Sequence, residues 1–206
     1  MKKLFLSLIL VFNLSSCTVY RAAYDISMNE VERPELAANR YGEYTITKNE
    51  SDEKYTYEDD MISAVFYVAE KQVAFAITNK TKHTIKINWD ESAYIDVNGK
   101  TSKVIHSGIR YMDKSAPQAP SVIIKGGILE DIVAPVDKIY YSDGWKTQNL
   151  FQNYDFNEAE MKSTASQYVG KSIRVLLPII IEDVQNDYIF TFNINDAKIE
   201  RTTWFQ

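Results

Sequence analysis

Apolar residues in this chain recur at every second position over most of its length. In ISAVFYV, Ile62, Ala64, Phe66 and Val68 fall on one face and Ser63, Val65 and Tyr67 on the other. VAFAIT alternates Val73, Phe75 and Ile77 with small residues, and TIKINW puts Ile85, Ile87 and Trp89 inward with Lys86 and Asn88 outward. A period of two, rich in β-branched and aromatic residues, predicts half-buried strands. Polar turns separate them at Glu70-Lys71-Gln72 and at Asn79-Lys80-Thr81-Lys82. AYIDVNGKTSKVIH predicts a hairpin in which Asn98-Gly99 supplies the two positive-φ residues of a type I′ turn. SVIIKGGILEDIV predicts two short strands around Gly126-Gly127, stopped by Pro135, and DKIYY predicts another. SIRVLLPIII and YIFTFNI flank the polar turn EDVQND. Pro178 cannot donate to a ladder, which predicts an edge or a bulge.

One stretch has a helical period instead. In DFNEAEMKSTASQYVG, Met161, Ala165 and Tyr168 lie at i, i+4 and i+7. Asp155 can cap the first turn with Glu158 three residues on, and Gly170 can stop the last. These signals predict a helix at about 155–169, packing one narrow apolar stripe onto a sheet or serving as a lid. At least eight short strands spaced near ten residues, with one inserted helix, predict a mainly β fold, an antiparallel sandwich over residues 41–206. Residues 18–40 show no sustained period, and Pro34 disfavours helix before it. Segment 17–40 is therefore expected as a tether, which at full extension would reach about 75 Å.

The first residues have a third pattern. Lys2 and Lys3 precede an apolar run from Leu4 to Leu14, broken only by Ser7 and Asn13. Spanning hydrocarbon takes about 20 apolar residues, so this run has the length of a secretory h-region and 1–16 reads as a signal peptide. Leu14, Ser15 and Ser16 then lead into Cys17, the only cysteine. Leu14-Ser15-Ser16-Cys17 resembles the lipobox of bacterial lipoproteins, in which signal peptidase cuts before a cysteine that carries diacylglycerol. The resemblance implies that Cys17 is a lipid anchor, and two or more acyl chains, at about 0.8 kcal/mol per buried CH₂, hold a protein stably to a bilayer. In such proteins an Asp after the cysteine favours the inner membrane. Thr18 stands here instead, and the next segment lacks the acidic run of surface-exported lipoproteins. The expected location is the outer membrane, facing the periplasm in preference to the cell surface.

With its cysteine used in this way the chain has no disulfide, so a core alone must stabilise it. The net charge is −5, and loss of Lys2 and Lys3 makes it more acidic, which argues against nucleic acid as a partner. Two histidines, His83 and His106, and no metal-ligand motif leave no metal centre to expect. Glu58-Asp59-Asp60 and Asp90-Glu91 with Asp96 lack the pattern of a calcium loop and read as solvated. There is no GxSxG elbow and no phosphate-binding glycine loop, so no catalytic residue and no cofactor is assigned. A hydrolase would need two carboxylates across a cleft, or an acid beside His106.

Binding remains. The run from FAITNKTKHTIKINWDESAYIDVNG to the final YIFTFNI resembles, over about residues 60–200, the immunoglobulin-like domains of uncharacterised bacterial lipoproteins, a resemblance that implies a fold and no activity. Tyr140, Tyr141 and Trp145 cluster at the end of a predicted strand and in the loop SDGWKTQN. Rigid aromatic rings offer large contact area at low entropic cost. The sequence thus predicts a non-enzymatic, lipid-anchored envelope protein that works through contact with a protein partner. A carbohydrate-binding module using Tyr140, Tyr141 and Trp145 is the alternative, provided those rings are coplanar and exposed.

Overall fold

The computed structural model describes residues 18–34, 41–49 and 53–203. The segment 1–16 expected as a signal peptide, with Leu14, Ser15 and Ser16, and Cys17, expected as the anchor, lie outside them. In chain order the elements are β1 (Thr18–Glu32), β2 (Thr45–Asn49), β3 (Lys54–Glu58), β4 (Ile62–Val68), β5 (Val73–Asn79), β6 (Ile85–Ile87), β7 (Ala93–Ile95), β8 (Thr101–Ile105), β9 (Ser121–Ile123) and β10 (Ile128–Pro135). Next come β11 (Ile139–Tyr141), β12 (Trp145–Thr147), β13 (Tyr154–Asp155), helix α1 (Glu158–Ser166), β14 (Ser172–Ile181) and β15 (Val184–Thr203).

The fold is mainly β. Among the described residues, thirteen strands form one antiparallel sheet in the order β13-β1-β15-β14-β7-β8-β10-β5-β4-β3-β2, with β6 and β9 branching from β14. The sheet curls over on itself, because β10 pairs with β5 along most of its length and then passes to β8 at Ala134 and Pro135. The β2–β5 half thereby faces the β1–β15–β14 half. Their inward positions meet directly: the Phe66 ring lies 4.4 Å from that of Phe190, and Phe75 lies 6.2 Å from Trp89. Period-2 alternation supplies this core, with Ile62, Ala64 and Phe66 from β4, Val73, Phe75 and Ile77 from β5, and the odd-numbered residues from Ile173 to Ile181 from β14.

Five local expectations change. Thr18–Glu32, expected within a tether, is a strand paired residue by residue with β15, from Thr18↔Thr203 to Glu32↔Ile189. Two register shifts interrupt the pairing, passing over Asn195 of β15 at Asp25/Ile26 and over Asn29 of β1 at Met28/Glu30, and the second changes the parity of its buried positions and breaks a simple period. Pro178 lies in a central strand. Its missing donor faces the gap where the neighbour of β14 changes from β7 to β6, and its carbonyl there accepts from Asn88 N at 3.0 Å.

The hairpin turns also differ. At Asn98-Gly99 only Gly99 has positive φ, +79°. Asp96 Oδ1 accepts from Asn98 N and Lys100 N, making a three-residue loop with glycine in the left-handed position. The two-residue turn with both φ positive is instead Glu182-Asp183, at 50° and 64°, and Val184–Asp187 belong to β15. Lastly, α1 is capped by Asn157, whose side chain accepts from Ala159 N and Glu160 N. Asp155 sits two residues outside, accepting from Asn157 N. The stripe is as predicted: Met161 and Ala165 are buried against Ala22 of β1, and Gly170 has φ +80°.

Glu58-Asp59-Asp60, expected as a solvated loop, carries a buried carboxylate. Asp59 accepts from Tyr57 Oη at 2.7 Å, Met61 N at 2.8 Å, Ile62 N at 2.9 Å and Tyr188 Oη at 3.2 Å, with the Arg33 guanidinium 3.6 Å away. Four donors fill the oxygen positions that a cation would need. Among the described residues no group of three His, Cys, Asp or Glu side chains converges, and no helix is long and apolar enough to cross a membrane.

Candidate functional site

After Pro135 ends β10, a 3₁₀ turn at Val136–Lys138 redirects the chain into β11, which pairs with β12 as a separate two-stranded ribbon. Asp143 and Gly144, at φ 50° and 127°, reverse the chain, and Ser142 N donates to Gly144 O at 2.9 Å. Asp is among the few non-glycine residues that tolerate the left-handed region, which explains the SDG sequence. Ile139 seats the base of the ribbon in a small apolar cluster with Ile105 and Ala134. The Lys114 ammonium donates to the carbonyls of Val136 and Ile139 and ties the preceding 3₁₀ turn, Tyr111–Asp113, to the same base.

The register Ile139↔Thr147, Tyr140↔Lys146, Tyr141↔Trp145 decides which rings meet. Residues two apart share a face, so Tyr141, Trp145, Ile139 and Thr147 lie on one side of the ribbon and Tyr140 and Lys146 on the other. Tyr141 and Trp145 touch edge to face, with centroids 5.6 Å apart and planes at 78°. Tyr111 completes the arrangement from the neighbouring turn: its ring meets Trp145 at 6.2 Å and 68°, and its hydroxyl accepts from Thr147 Oγ1 at 3.1 Å. The result is an angular corner of three rings, with Tyr141 69% exposed and Trp145 41% exposed. Beside Tyr111 stand Met112, 64% exposed, and Arg110, held by Asp113 at 2.7 Å.

Of the three aromatic residues singled out from sequence, the structure brings two together and turns Tyr140 away. The alternation of strand side chains already implied that neighbours Tyr140 and Tyr141 face opposite sides. Tyr111 carried no signal, because its short turn has no period and only the tertiary fold places it against Trp145. Exposure of the rings is as the binding reading required, whereas the coplanar platform required for sugar is absent from this corner.

His106 does stand beside an acid. Its Nδ1 lies 3.1 Å from Asp131 Oδ2, and its ring stacks on Trp89 with centroids 4.3 Å apart and planes at 4°. Asp131 also accepts from Ser107 N at 2.7 Å and Ile132 N at 2.8 Å. The carboxylate is saturated and buried, and the imidazole is clamped between it and a core indole. This geometry fastens the end of β8 to β10. His83 lies at the surface, 3.0 Å from Glu182.

A second apolar surface sits on β9, which pairs with β6 alone among the described residues. Val122, Ile124 and Ile128 are exposed there around the Gly126-Gly127 turn. Edge strands with apolar side chains are sites where another chain can add.

No protein-family model matches this chain, and no curated protein is similar to it. Among solved structures, that of the yjhA protein from Bacillus subtilis is similar at 12% identity over 71% of this chain and 87% of that one, with a TM-score of 0.26.

Proposed function

We propose that this is a non-enzymatic lipoprotein, anchored through Cys17 to the outer membrane and facing the periplasm, that holds a protein partner through the corner formed by Tyr111, Tyr141 and Trp145. The anchor reading is supported by the order of charge, apolar run and Leu14-Ser15-Ser16-Cys17 in the sequence.

The observation that carries the contact reading is the geometry and composition of the corner. Tyr, Trp, Met and Arg are the residues enriched at protein interfaces, and Trp, Tyr and Arg dominate their hot spots. Rings set at 68° and 78° offer a flat sugar face one ring to stack on. An aliphatic or proline side chain of a polypeptide, entering the angle, would touch two or three. The ribbon is braced at its base by Ile139 and Lys114, so little ordering entropy opposes the contact.

The test is a photo-crosslinking residue at the exposed position 112, beside the corner, in the full chain, expressed in its cells. The expected outcome is a discrete protein adduct that Trp145→Ala removes, in the fraction protected from protease until the cells are permeabilised. Absence of any protein adduct, together with Trp145-dependent retention of the protein on envelope polysaccharide, would transfer the function to glycan binding.

A further inference from the structure

We infer that the outer face of β1, β15 and β14 binds a free α-amino acid, its ammonium on Glu30, its carboxylate on Arg174, and the Thr191 hydroxyl donating to that carboxylate between them. The site shares no residue with the aromatic corner and depends on neither the anchor nor the contact reading.

Strand register builds it. Glu30 of β1 lies opposite Thr191 of β15, and Thr191 lies opposite Arg174 of β14. The neighbours of Thr191 in its strand, Phe190 and Phe192, and those of Arg174, Ile173 and Val175, all enter the core. Thr191 and Arg174 therefore share the outer face. A groove runs over that face, flanked by the loop after β7 and by Gly170-Lys171. The Lys171 ammonium joins the two flanks by donating to Asn98 Oδ1 at 3.4 Å.

Thr191 is the residue that points to a ligand. It faces outward, yet it is only 6% exposed, and its Oγ1 is buried without a hydrogen-bond partner among the described residues. A hydroxyl kept in that state is costly, and this one lines the groove, where it can donate to whatever enters.

The charges say what enters. On the β1 side stand two carboxylates, Glu30 and Glu32, and on the β14 side two cations, Lys171 and Arg174. Glu30 has no hydrogen bond or ion pair among the described residues. Arg174 has only Glu32, at 3.9 Å, beyond hydrogen-bonding distance. Asp96, also in the groove, is engaged already, accepting from Asn98 N and Lys100 N. A phosphate would meet the two glutamates, and a metal ion the two cations. A neutral sugar would cover both signs and pair neither. A molecule carrying both signs satisfies each side at once. Carboxylate and guanidinium approach to 3.9 Å across β15, the scale on which an α-amino acid separates its own ammonium and carboxylate. Arg174 can take that carboxylate through two parallel N–H groups.

The probe is glycine, the bare zwitterion, titrated to about 50 mM, well above a millimolar Kd, into the ¹⁵N-labelled full chain in detergent at constant ionic strength. Saturable shifts are expected in the amide signals of Glu30, Arg174 and Thr191. N-Acetylglycine lacks the ammonium and glycine methyl ester lacks the carboxylate. Each is expected to bind about tenfold more weakly or worse, through loss of a charge-assisted hydrogen bond. Glu30→Gln and Arg174→Gln should weaken glycine by about the same factor, while Trp145→Ala leaves it unchanged. Thr191→Val should weaken glycine too, with no fall in the urea midpoint, because no group of the folded protein pairs with the hydroxyl it removes. Glycine that shifts nothing, or that binds no better than its two blocked forms, would overturn the site. The blocked forms leave the protein untouched, so that comparison stands even where a variant fails to fold. Binding that survives Glu30→Gln and Arg174→Gln together would overturn it as well.

Discussion

The Tyr188 hydroxyl donates to Asp59 Oδ2 at 3.2 Å, joining β15 to the β3–β4 turn across the two halves of the curled sheet. Tyr57 donates to the same oxygen, and Arg33 brings the stretch after β1 to the same carboxylate. Arg33 itself donates to Gly42 O at 2.9 Å and lies 4.7 Å from the Tyr44 ring centroid. Removing one partner of a buried ion pair costs about 3–5 kcal/mol, mostly through the charge left behind. Asp59→Ala should fall in that range and Arg33→Met at its lower end, read as urea midpoints. The double variant Asp59→Ala/Arg33→Met should cost clearly less than the sum of the singles, because it strands no charge. Strict additivity would mean that the pair is not coupled.

Burial raises the hydroxyl pKa of Tyr57, Tyr94 and Tyr188 far above the ordinary 10.0, with Asp59 adding to it for Tyr57 and Tyr188 and Asp96 for Tyr94. Tyr24 moves the same way, by burial and then by Tyr168. In the unfolded chain these groups would lose protons near pH 10, while the folded protein keeps them. Stability is thus fully present below that pH and declines as pH rises beyond it, since the folded state binds more protons. A spectrophotometric titration should show some of the 14 tyrosines ionising only when the fold is lost, with a urea midpoint that drops steeply above about pH 10. Smooth ionisation of every tyrosine in the folded protein would contradict this.

The aromatic corner separates binding from stability. Tyr141 and Trp145 are exposed, so Tyr141→Ala and Trp145→Ala should leave stability within about 0.5 kcal/mol while abolishing the protein adduct formed at the corner. Ile139→Ala acts on the buried seat of the ribbon and should cost about 2–5 kcal/mol. Differential hydrogen exchange would locate that loss in 139–147. Equal destabilisation by Trp145→Ala would make the corner a packing feature.

The two hairpin turns exchange the chemistry expected of them. Glu182 and Asp183 occupy the positive-φ positions without glycine, at roughly 1–2 kcal/mol per residue of intrinsic strain. Glu182→Asn/Asp183→Gly should raise stability by about 1 kcal/mol, after the entropic cost of glycine is subtracted. Gly99→Ala has open space around its added Cβ and should still cost about 1 kcal/mol through its φ of +79° alone. Asn98→Ala should be nearly neutral. A type I′ turn at Asn98-Gly99 would make both substitutions costly, and thermal melts of the pair distinguish the two cases.

Strands β4, β5 and β14 were legible because their partners bury one face throughout, and alternation survives wherever that is so. Pro178 misled, since its effect depends on which neighbour stands opposite, and the switch from β7 to β6 lies some ninety residues earlier in the chain. The rings at 141 and 145 were legible as a cluster. Tyr111 was not, because a 3₁₀ turn carries no period and the contact is tertiary. Asn79 shows the same limit in the core: it reads as a turn residue, yet its buried amide donates to His83 O and Ile123 O and locks two turns together.

β1 is the largest departure from the sequence pattern, and it yields the sharpest prediction. Its buried residues are Val19, Ala22, Met28 and Val31, spaced three, six and three apart, a sequence that fits neither period. The spacing has a structural origin: α1 covers Ala22, the main core receives Met28 and Val31, and the register shift at Met28/Glu30 passes over Asn29 and changes the parity between those two. A tether would tolerate substitution at these positions within about 0.5 kcal/mol. A core strand should not, and Met28→Ala is expected to cost about 2–5 kcal/mol with Val31→Ala somewhat less. Because β1 covers β15 along its length, deletion of residues 18–32 would bare a long edge rich in Phe and Ile, and the product is expected to aggregate. A folded, monomeric deletion variant with an unchanged urea midpoint would return this segment to the role of a tether.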